Sequence, residues 1–485
     1  MADRSGRIET PPTLQNRSWL HLHAATLALA LLAAGCSQVG DYQRPGSLLP
    51  DKWQQSDATG GTLTATQIDW RNFFRDPRLQ VLIGNALEHN RDLRMALARI
   101  SEARAQYGIA SADRLPTVSL AADKSKSKIP AAFTGTDRPV TTERTELNLS
   151  VVSFELDFWG RVANLSEAAK SNYLATESAT RTLRITLIAD VANHYFSLLE
   201  LDERLIITRD AIESRKKNRD LTRRGMELGA AARSDYLLAE GSVHLVQSEL
   251  AVLENQRASL EHALQLLVGK AAVELPVGRK LDQQDVRNDL APGIPSEVLY
   301  DRPDVIAAEY RLREAHANVA AARAAFLPKI LLTVGIGLAS RSLAALFGPG
   351  SGNWTYQPAI SLPLFDGGRT AGYEAIAEAR KNSAVADYEK TIQQAFREVA
   401  DLLSSRTSLV EQREATEAVV KAYRDRLKVS EVRFKAGSIS YLEVLDAQRE
   451  LYASQQAAVQ VRRAQLSTAA QLYKALGGGD IRPQT

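Results

Sequence analysis

Residues 92–116, D-L-R-M-A-L-A-R-I-S-E-A-R-A-Q-Y-G-I-A-S-A-D-R-L-P, align without a gap on residues 304–328, D-V-I-A-A-E-Y-R-L-R-E-A-H-A-N-V-A-A-A-R-A-A-F-L-P. The offset is 212, and the identities include Ala96 with Ala308, Arg99 with Arg311, Glu102 with Glu314, Leu115 with Leu327 and Pro116 with Pro328. Beyond the prolines the offset becomes 208: Gly160-Arg161 falls on Gly368-Arg369, Gly229 on Gly437, Leu237 on Leu445 and Ala239 on Ala447. Self-similarity on this scale marks a tandem duplication. The four-residue change of offset falls between Pro116 and Gly160, as a loop tolerates.

Both halves carry the same order of elements. A helix ends at each Leu-Pro pair, where proline stops it. A hairpin follows. In the first half Thr117–Leu120 opens it, a polar loop with Lys124, Lys126 and Lys128 intervenes, and Thr145–Phe158 closes it, with Leu147, Leu149 and Val151 alternating with polar neighbours. In the second half Ile330–Ser340 and Trp354–Leu364 flank the turn-rich stretch Gly348–Asn353. Proline-free helical segments then run over 161–227 and 369–435. At 1.5 Å per residue each is a rod of about 100 Å. Gly229 and Gly437 turn the chain into return helices over 234–268 and 441–476, and Ser440 with Glu443 has the spacing of a capping box. Farther back, Asp76-Pro77 predicts a helix start. Leu183, Leu187, Asp190, His194 and Leu198 keep the spacing of one helical stripe, without a strict heptad.

The expected fold class is mainly α with a small β part. Residues 1–35 read as a signal peptide, 36–75 as a lipidated, extended N-terminal segment, and 76–270 as the first repeat, with its β-hairpin over 117–158 and helical hairpin over 161–268. Residues 271–302 form a connector, 303–476 the second repeat, with its β-hairpin over 330–364 and helical hairpin over 369–476, and 477–485 a tail.

Composition narrows the function. The chain has 485 residues and 60 Lys+Arg against 57 Asp+Glu, a net charge of +3 that gives no field to draw nucleic acid. With 45% hydrophobic and 24% charged residues it is neither disordered nor a polytopic helical membrane protein. A single cysteine excludes a disulfide framework and a Cys-rich metal site. Its place is informative. Arg4, Arg7 and Arg17 precede a short apolar run ending Leu31-Leu32-Ala33-Ala34-Gly35-Cys36, too short to span a bilayer as a helix and read as an export signal. Gly35-Cys36 resembles a bacterial lipobox, with Ala33 departing from the usual Leu. Lipidation of Cys36 is therefore expected, and a plain secretory signal is the alternative.

No catalytic constellation emerges. The seven histidines are scattered, no H-E-x-x-H occurs, and Gly335-Ile-Gly337 lacks the third glycine of a dinucleotide loop. The expectation is no enzyme, no cofactor and no metal site. Four strands cannot close a barrel. In an exported chain, sharing one barrel among three copies removes the open edges. A soluble four-stranded sheet with coiled-coil arms is the alternative.

Asp157-Phe-Trp-Gly-Arg161, Leu362-Pro-Leu-Phe-Asp-Gly-Gly-Arg369, Pro295-Ser-Glu-Val-Leu299 before Arg302-Pro303-Asp304, and Tyr441-Leu-Glu-Val-Leu-Asp-Ala-Gln-Arg449 together resemble motifs of the outer-membrane efflux proteins. That is the TolC-like family, in its lipoprotein branch (NodT/OprM-like). Asp301 departs from a second Arg usual at that place, a change expected to alter a contact in the connector. The resemblance implies a homotrimer whose four strands per chain make a twelve-stranded outer-membrane β-barrel on a periplasmic α-barrel. It implies docking with a periplasmic adaptor (membrane fusion protein) and an inner-membrane pump of RND type, contact with outer-membrane lipids, and passage of substrate without chemistry. A type I secretion channel and a trimeric coiled-coil scaffold are the alternatives. The lipid implied on Cys36 is N-palmitoyl, S-diacylglycerol. The resemblance places a periplasmic gate at Arg433, Leu442, Asp446 and Arg449, and adaptor contacts at the tip residues Gly229, Ser234, Gly437 and Ser440. By spacing alone, Asp446 and Arg449 are an ordinary solvated helix pair. Trp354, Tyr356 and Phe158 are candidates for an aromatic girdle, with core packing the alternative for Phe158.

Overall fold

The computed structural model describes residues 42–46, 68–135, 138–270, 274–286 and 296–479. Cys36 and the signal segment lie outside the described residues, as do parts of the connector and of the tail. A helical turn at Trp70–Phe73 precedes α1 (Pro77–His89) and α2 (Arg91–Ala112). Asp76 caps α1, its Oδ1 accepting from the Arg78 amide at 2.8 Å, and Pro77 takes the first helical position. After strands β1 (Val118–Ile129) and β2 (Val140–Glu155) come the 67-residue α3 (Arg161–Glu227) and its return α4 (Arg233–Val268). The second repeat restates the order: α5 (Pro303–Ala324), β3 (Lys329–Ser340), β4 (Gly352–Ser361), the 67-residue α6 (Arg369–Lys435) and α7 (Tyr441–Ala475).

α2 and α5 end a turn before their Leu-Pro pairs. Residues ahead of proline are pushed out of the helical region, and each end tightens through an i→i−3 bond, Leu115 N to Ala112 O at 2.9 Å and Leu327 N to Ala324 O at 3.1 Å. The stretch with Lys124, Lys126 and Lys128, expected as a loop, is strand. It pairs residue by residue with β2 from Val118↔Val151 to Ile129↔Val140, and Lys126 pairs with Glu143. Backbone ladders need no apolar face, so a Ser/Lys alternation extends as well as a Val/Leu one. β4 stops at Ser361 rather than at Leu364, because Pro363 has no N–H for the ladder.

The four strands form one antiparallel sheet in the order β1-β2-β3-β4, with a bulge in β2 between Val151 and Phe154. Ser153 has φ 52° there, and its N–H donates to Thr333 Oγ1 at 3.0 Å. Gly337 faces Asn148 across the β2–β3 ladder, and a Cβ at Gly337 would sit 2.4 Å from the Leu147 carbonyl oxygen. Gly337→Val is expected to lose about 1–3 kcal/mol to this overpacking, seen as a lower melting temperature of the purified protein.

Contacts divide the chain into two compact units that cut across the repeats. One is built on residues 104–172 and 311–384, which include the sheet, and takes in residues 42–44; the other is built on 173–310 and 385 onward, with residues 68–103. In the second unit an aromatic cluster sets the core. Phe73 stacks on Tyr473 at 4.6 Å between centroids, Phe74 meets both, and Phe74 also approaches Phe196 of α3. α3 is buried here at Leu187, Ile188, Val191, Tyr195 and Leu198, so Leu187 and Leu198 of the expected stripe do face the core.

Candidate functional site

The sheet carries its chemistry in its two faces. Register puts Val118, Leu120 and Ala122 of β1 beside Val151, Leu149 and Leu147 of β2, then Val334, Ile336 and Leu338 of β3. Tyr356 and Trp354 of β4 continue the rows, with Ile330↔Ile360 and Leu332↔Pro358 below. One face is thus apolar over the nine residues from Ile330 to Leu338, about 30 Å along the strand. With strands tilted by 35–45° that gives roughly the 25 Å apolar band of an outer-membrane barrel. The band ends where Lys124, Lys126 and Lys128 take over the same face. The other face carries Ser119, Asn148, Ser150, Thr333, Thr355 and Gln357, with Gly335 and Gly337 between them. Much of the apolar face is bare: Leu120 is 70% exposed, Trp354 77% and Tyr356 63%. Phe158 is exposed too, so it is not core. Among the described residues β1 and β4 each have one unpaired edge. No helix among the described residues is long and apolar enough to cross a membrane.

Motif residues fix the passage from strand to helix. Trp159 donates its indole N–H to the Pro328 carbonyl at 2.8 Å, and Arg161 forms a two-pronged contact with Glu155 at 2.8 and 2.6 Å. Asp157 caps α3 through the Ala163 amide. Asp366 caps α6, accepting from the Gly368, Arg369 and Thr370 amides.

At the far ends of the long helices the two repeats build the same turn. α3 ends with Gly229 at φ 74°, the Gly229 amide bonding Met226 O and the Ala230 amide Gly225 O. α6 ends with Gly437 at φ 71°, the Gly437 amide bonding Phe434 O and the Ser438 amide Arg433 O. This is the glycine-capped helix end in which a left-handed residue satisfies the last carbonyls. Ser440 is the N-cap of α7, but its side chain makes no capping bond, so the expected capping box is not formed. Ser234 lies inside the first turn of α4, exposed, one residue past the start. Ala239 of α4 packs with Tyr441, Val444 and Leu445 of α7, covered by Leu427, Phe434 and Ile439.

That packing fixes which way α7 faces. With Tyr441, Val444, Leu445, Ala447 and Gln448 buried, Leu442, Asp446 and Arg449 share the exposed side. Leu442 is 51% exposed, and the Asp446 and Arg449 side chains 50% and 66%. The Arg449–Asp446 contact is loose at 3.9 Å, a solvated pair of small energy. Arg433 sits in the last turn of α6 and joins no ion pair among the described residues.

Two buried polar centres escaped the sequence reading. Asp76, read only as a helix cap, is 1% exposed, and its Oδ2 accepts from Tyr195 Oη at 2.9 Å, the Arg279 amide at 3.0 Å and Gln284 Nε2 at 2.6 Å. Burial and this carboxylate push the Tyr195 phenol above its usual pKa. Arg302, 6% exposed, binds both oxygens of Asp304 at 3.0 and 2.7 Å, Glu398 at 3.0 Å and the Ala475 carbonyl at 2.6 Å. Burial opposes its charge, and Asp304 with Glu398 outweighs that, so the guanidinium sits above its usual pKa. These contacts tie α5, α6 and α7 together, with Asp301 taking no part in them. The Arg302-Pro303-Asp304 motif was the available signal; nothing adjacent in sequence marks Asp76.

The family described as "Outer membrane efflux protein" matches over residues 82–270 and 294–478, one stretch in each repeat. Outer membrane protein OprJ of Pseudomonas aeruginosa is 38% identical over 456 residues, covering 94% of this chain and 95% of that protein. The cation efflux system protein CusC of Escherichia coli O157:H7 is 38% identical, covering 93% of this chain and 97% of that protein. The open-state structure of the MtrE outer membrane channel of Neisseria gonorrhoeae superposes with a TM-score of 0.83 at 32% identity, over 92% of this chain and 98% of that one. Duplicated hairpins, a sheet with one apolar and one polar face, and these likenesses lead to one conclusion: the chain belongs to the outer membrane efflux protein family.

Proposed function

We propose that this protein is the outer-membrane exit duct of a tripartite efflux system, a homotrimer that passes substrate passively. The observation that carries the reading is the two-faced sheet with unpaired edges. Three copies make a twelve-stranded barrel that leaves no edge open, with the Val118/Val151/Val334/Tyr356 face toward lipid and the Asn148/Ser150/Thr355 face toward water. The long helical hairpins extend the duct into the periplasm. Their tips at Gly229, Ser234, Gly437 and Ser440 meet a periplasmic adaptor, and the adaptor links them to an inner-membrane pump of RND type that supplies the energy. A lipid on Cys36 anchors the N-terminus in the outer membrane. The relatives' names, with efflux printed for CusC, support efflux over type I secretion.

In this reading Leu442, Asp446, Arg449 and Arg433 form the periplasmic constriction. Support comes from the exposed face shared by the first three, where the one ion pair among the described residues is the loose 3.9 Å contact of Arg449 with Asp446. Three copies around an axis place carboxylates beside guanidinium groups of neighbouring chains. Each such solvated pair contributes about 1 kcal/mol or less, so the three together hold the closed form by a margin an adaptor can overcome. Asp446→Ala is expected to raise the open fraction in planar bilayers roughly ten-fold, the equivalent of about 1.4 kcal/mol. Unchanged conductance would remove Asp446 from the gate.

A further inference from the structure

The outer half of β1 carries three lysines in the run Lys124-Ser-Lys126-Ser-Lys128. Residues two apart along a strand share a face, so all three continue the face of Val118, Leu120 and Ala122. Asp123, Ser125 and Ser127 fall on the polar face, with Glu146 and Arg144 of β2 opposite the first two.

The lysine row sits at one end of the sheet only. α2 leads into β1 at Val118, and β2 leads into α3 from Glu155, so the helices leave from that end, and Ile129 and Val140 lie at the far end. With the helices in the periplasm, the far end of the barrel points outward. At the helix-bearing end the same face carries Val118, Phe154, Ile330 and Ile360, and Lys329 pairs there with Ser361 on the polar face. At the outer end the last apolar row is Ala122, Leu147 and Leu338. Lys124 follows two residues on, about 7 Å along the strand, which a tilt of 35–45° reduces to about 5 Å of height, and Lys128 lies about 10 Å higher still. This is the level at which acyl chains give way to lipid headgroups.

The row also has charge to spare. Thr145, Glu143 and Thr141 stand opposite the three lysines on β2. Lys126 pairs with Glu143, whereas Lys124 and Lys128 join no ion pair among the described residues, and all three lysines are exposed. Three lysines against one carboxylate leave two positive charges per chain, on a surface continuous with the apolar band.

We infer that Lys124, Lys126 and Lys128 form a docking row for the anionic headgroup of the outer-leaflet glycolipid, lipopolysaccharide, with its lipid A phosphates at Lys124 and its charged inner-core sugars at Lys126 and Lys128. The inference rests on the barrel reading of the sheet. Each ammonium supplies a charge-assisted hydrogen bond to a phosphate or carboxylate, and the long lysine stem reaches the headgroup while lying along apolar surface. Cations about 7 Å apart along the strand suit a headgroup that is anionic through its depth. A phospholipid, with its phosphate at a single level, would engage Lys124 alone.

The test is binding of dye-labelled deep-rough lipopolysaccharide to purified full-length trimers in neutral detergent with a chelator present, alongside the same glycolipid stripped of its phosphates. A lysine beside an anionic lipid surface contributes roughly five-fold in affinity. Lys124→Gln combined with Lys128→Gln is therefore expected to weaken binding about ten- to thirty-fold and to flatten its salt dependence, and phosphate removal to weaken wild-type binding by a similar factor. Glu143→Gln frees Lys126 and is expected to tighten binding several-fold. Lys217→Gln with Lys390→Gln, at exposed positions of α3 and α6, is expected to leave it unchanged. The barrel reading has a separate readout: vesicles of brominated phosphatidylcholine are expected to quench tryptophan fluorescence, and Trp354→Phe to remove much of that quenching. Quenching at Trp354 with unchanged binding in the lysine variants keeps the barrel and overturns the row, as does equal binding of the stripped glycolipid. Aggregation of the double variant with the affinity of its remaining trimers intact also overturns the row, marking the lysines as protection of a strand edge. Absence of quenching at Trp354 overturns both readings. Should the double variant give no trimers, Glu143→Gln and the stripped glycolipid decide.

Discussion

Val334→Lys is expected to remove most of the protein from the outer membrane, while Thr355→Lys leaves assembly intact. Val334 lies at the middle of the apolar run from Ile330 to Leu338, in a row with Val118, Val151 and Tyr356. A lysine on the lipid face near the midplane costs about 2–4 kcal/mol, and a trimer bears the cost three times over. Thr355 pairs with Gly335 one residue away on the polar face, where a charge meets water. Membrane fractionation with trimer counting on a semi-denaturing gel checks both. Equal tolerance at the two positions would mean that the apolar face does not meet lipid.

Arg302→Met is expected to lower stability by about 3 kcal/mol, near the lower end for breaking a buried ion pair. Methionine keeps the aliphatic volume and removes every donor. Asp304 and Glu398 lose their shared partner, and the Ala475 carbonyl, bonded at 2.6 Å, is left without the guanidinium. Both carboxylates keep about a third of their side-chain surface in contact with water, which limits the loss. Arg397→Met is the control: its contact with Asp401 is exposed on both sides at 83% and 67%, and such pairs contribute little. Thermal unfolding of the purified trimer followed by circular dichroism is expected to show a clear drop for Arg302→Met and almost none for Arg397→Met.

Legibility in the sequence followed the range of the interaction. The 67-residue α3 and α6 were readable because no proline interrupts them, and Gly229 and Gly437 because a left-handed helix end selects glycine. β1 runs to Ile129, well past the Thr117–Leu120 stretch that the sequence marks as strand. Its outer half, Asp123 to Lys128, is polar on both faces and shows no hydrophobic period; the partner strand defines it, not its own composition. At Ser440 the spacing of a capping box is present, but the side chain makes no capping bond. Asp76, Arg215 and Arg302 owe their burial to residues between 27 and more than 200 positions away. No local pattern separates such groups from solvated charges. On α7, sequence spacing gave Leu442, Asp446 and Arg449 a common face, and the buried cluster around Tyr441 and Val444 decided that this face is the free one.

The proposed function requires the two faces of the sheet to divide lipid from an aqueous duct. Thr355 and Tyr356 are adjacent in β4 and fall on opposite faces, and Cys36 is the only native cysteine. Thr355→Cys and Tyr356→Cys would each be treated with a bulky, membrane-impermeant cationic thiol reagent while current is recorded through single trimers in a planar bilayer. Current through the Thr355→Cys channel is expected to fall stepwise on modification, and current through the Tyr356→Cys channel to be unaffected. A current insensitive at Thr355 but blocked at Tyr356, or no current from either assembled trimer, would contradict the proposed function.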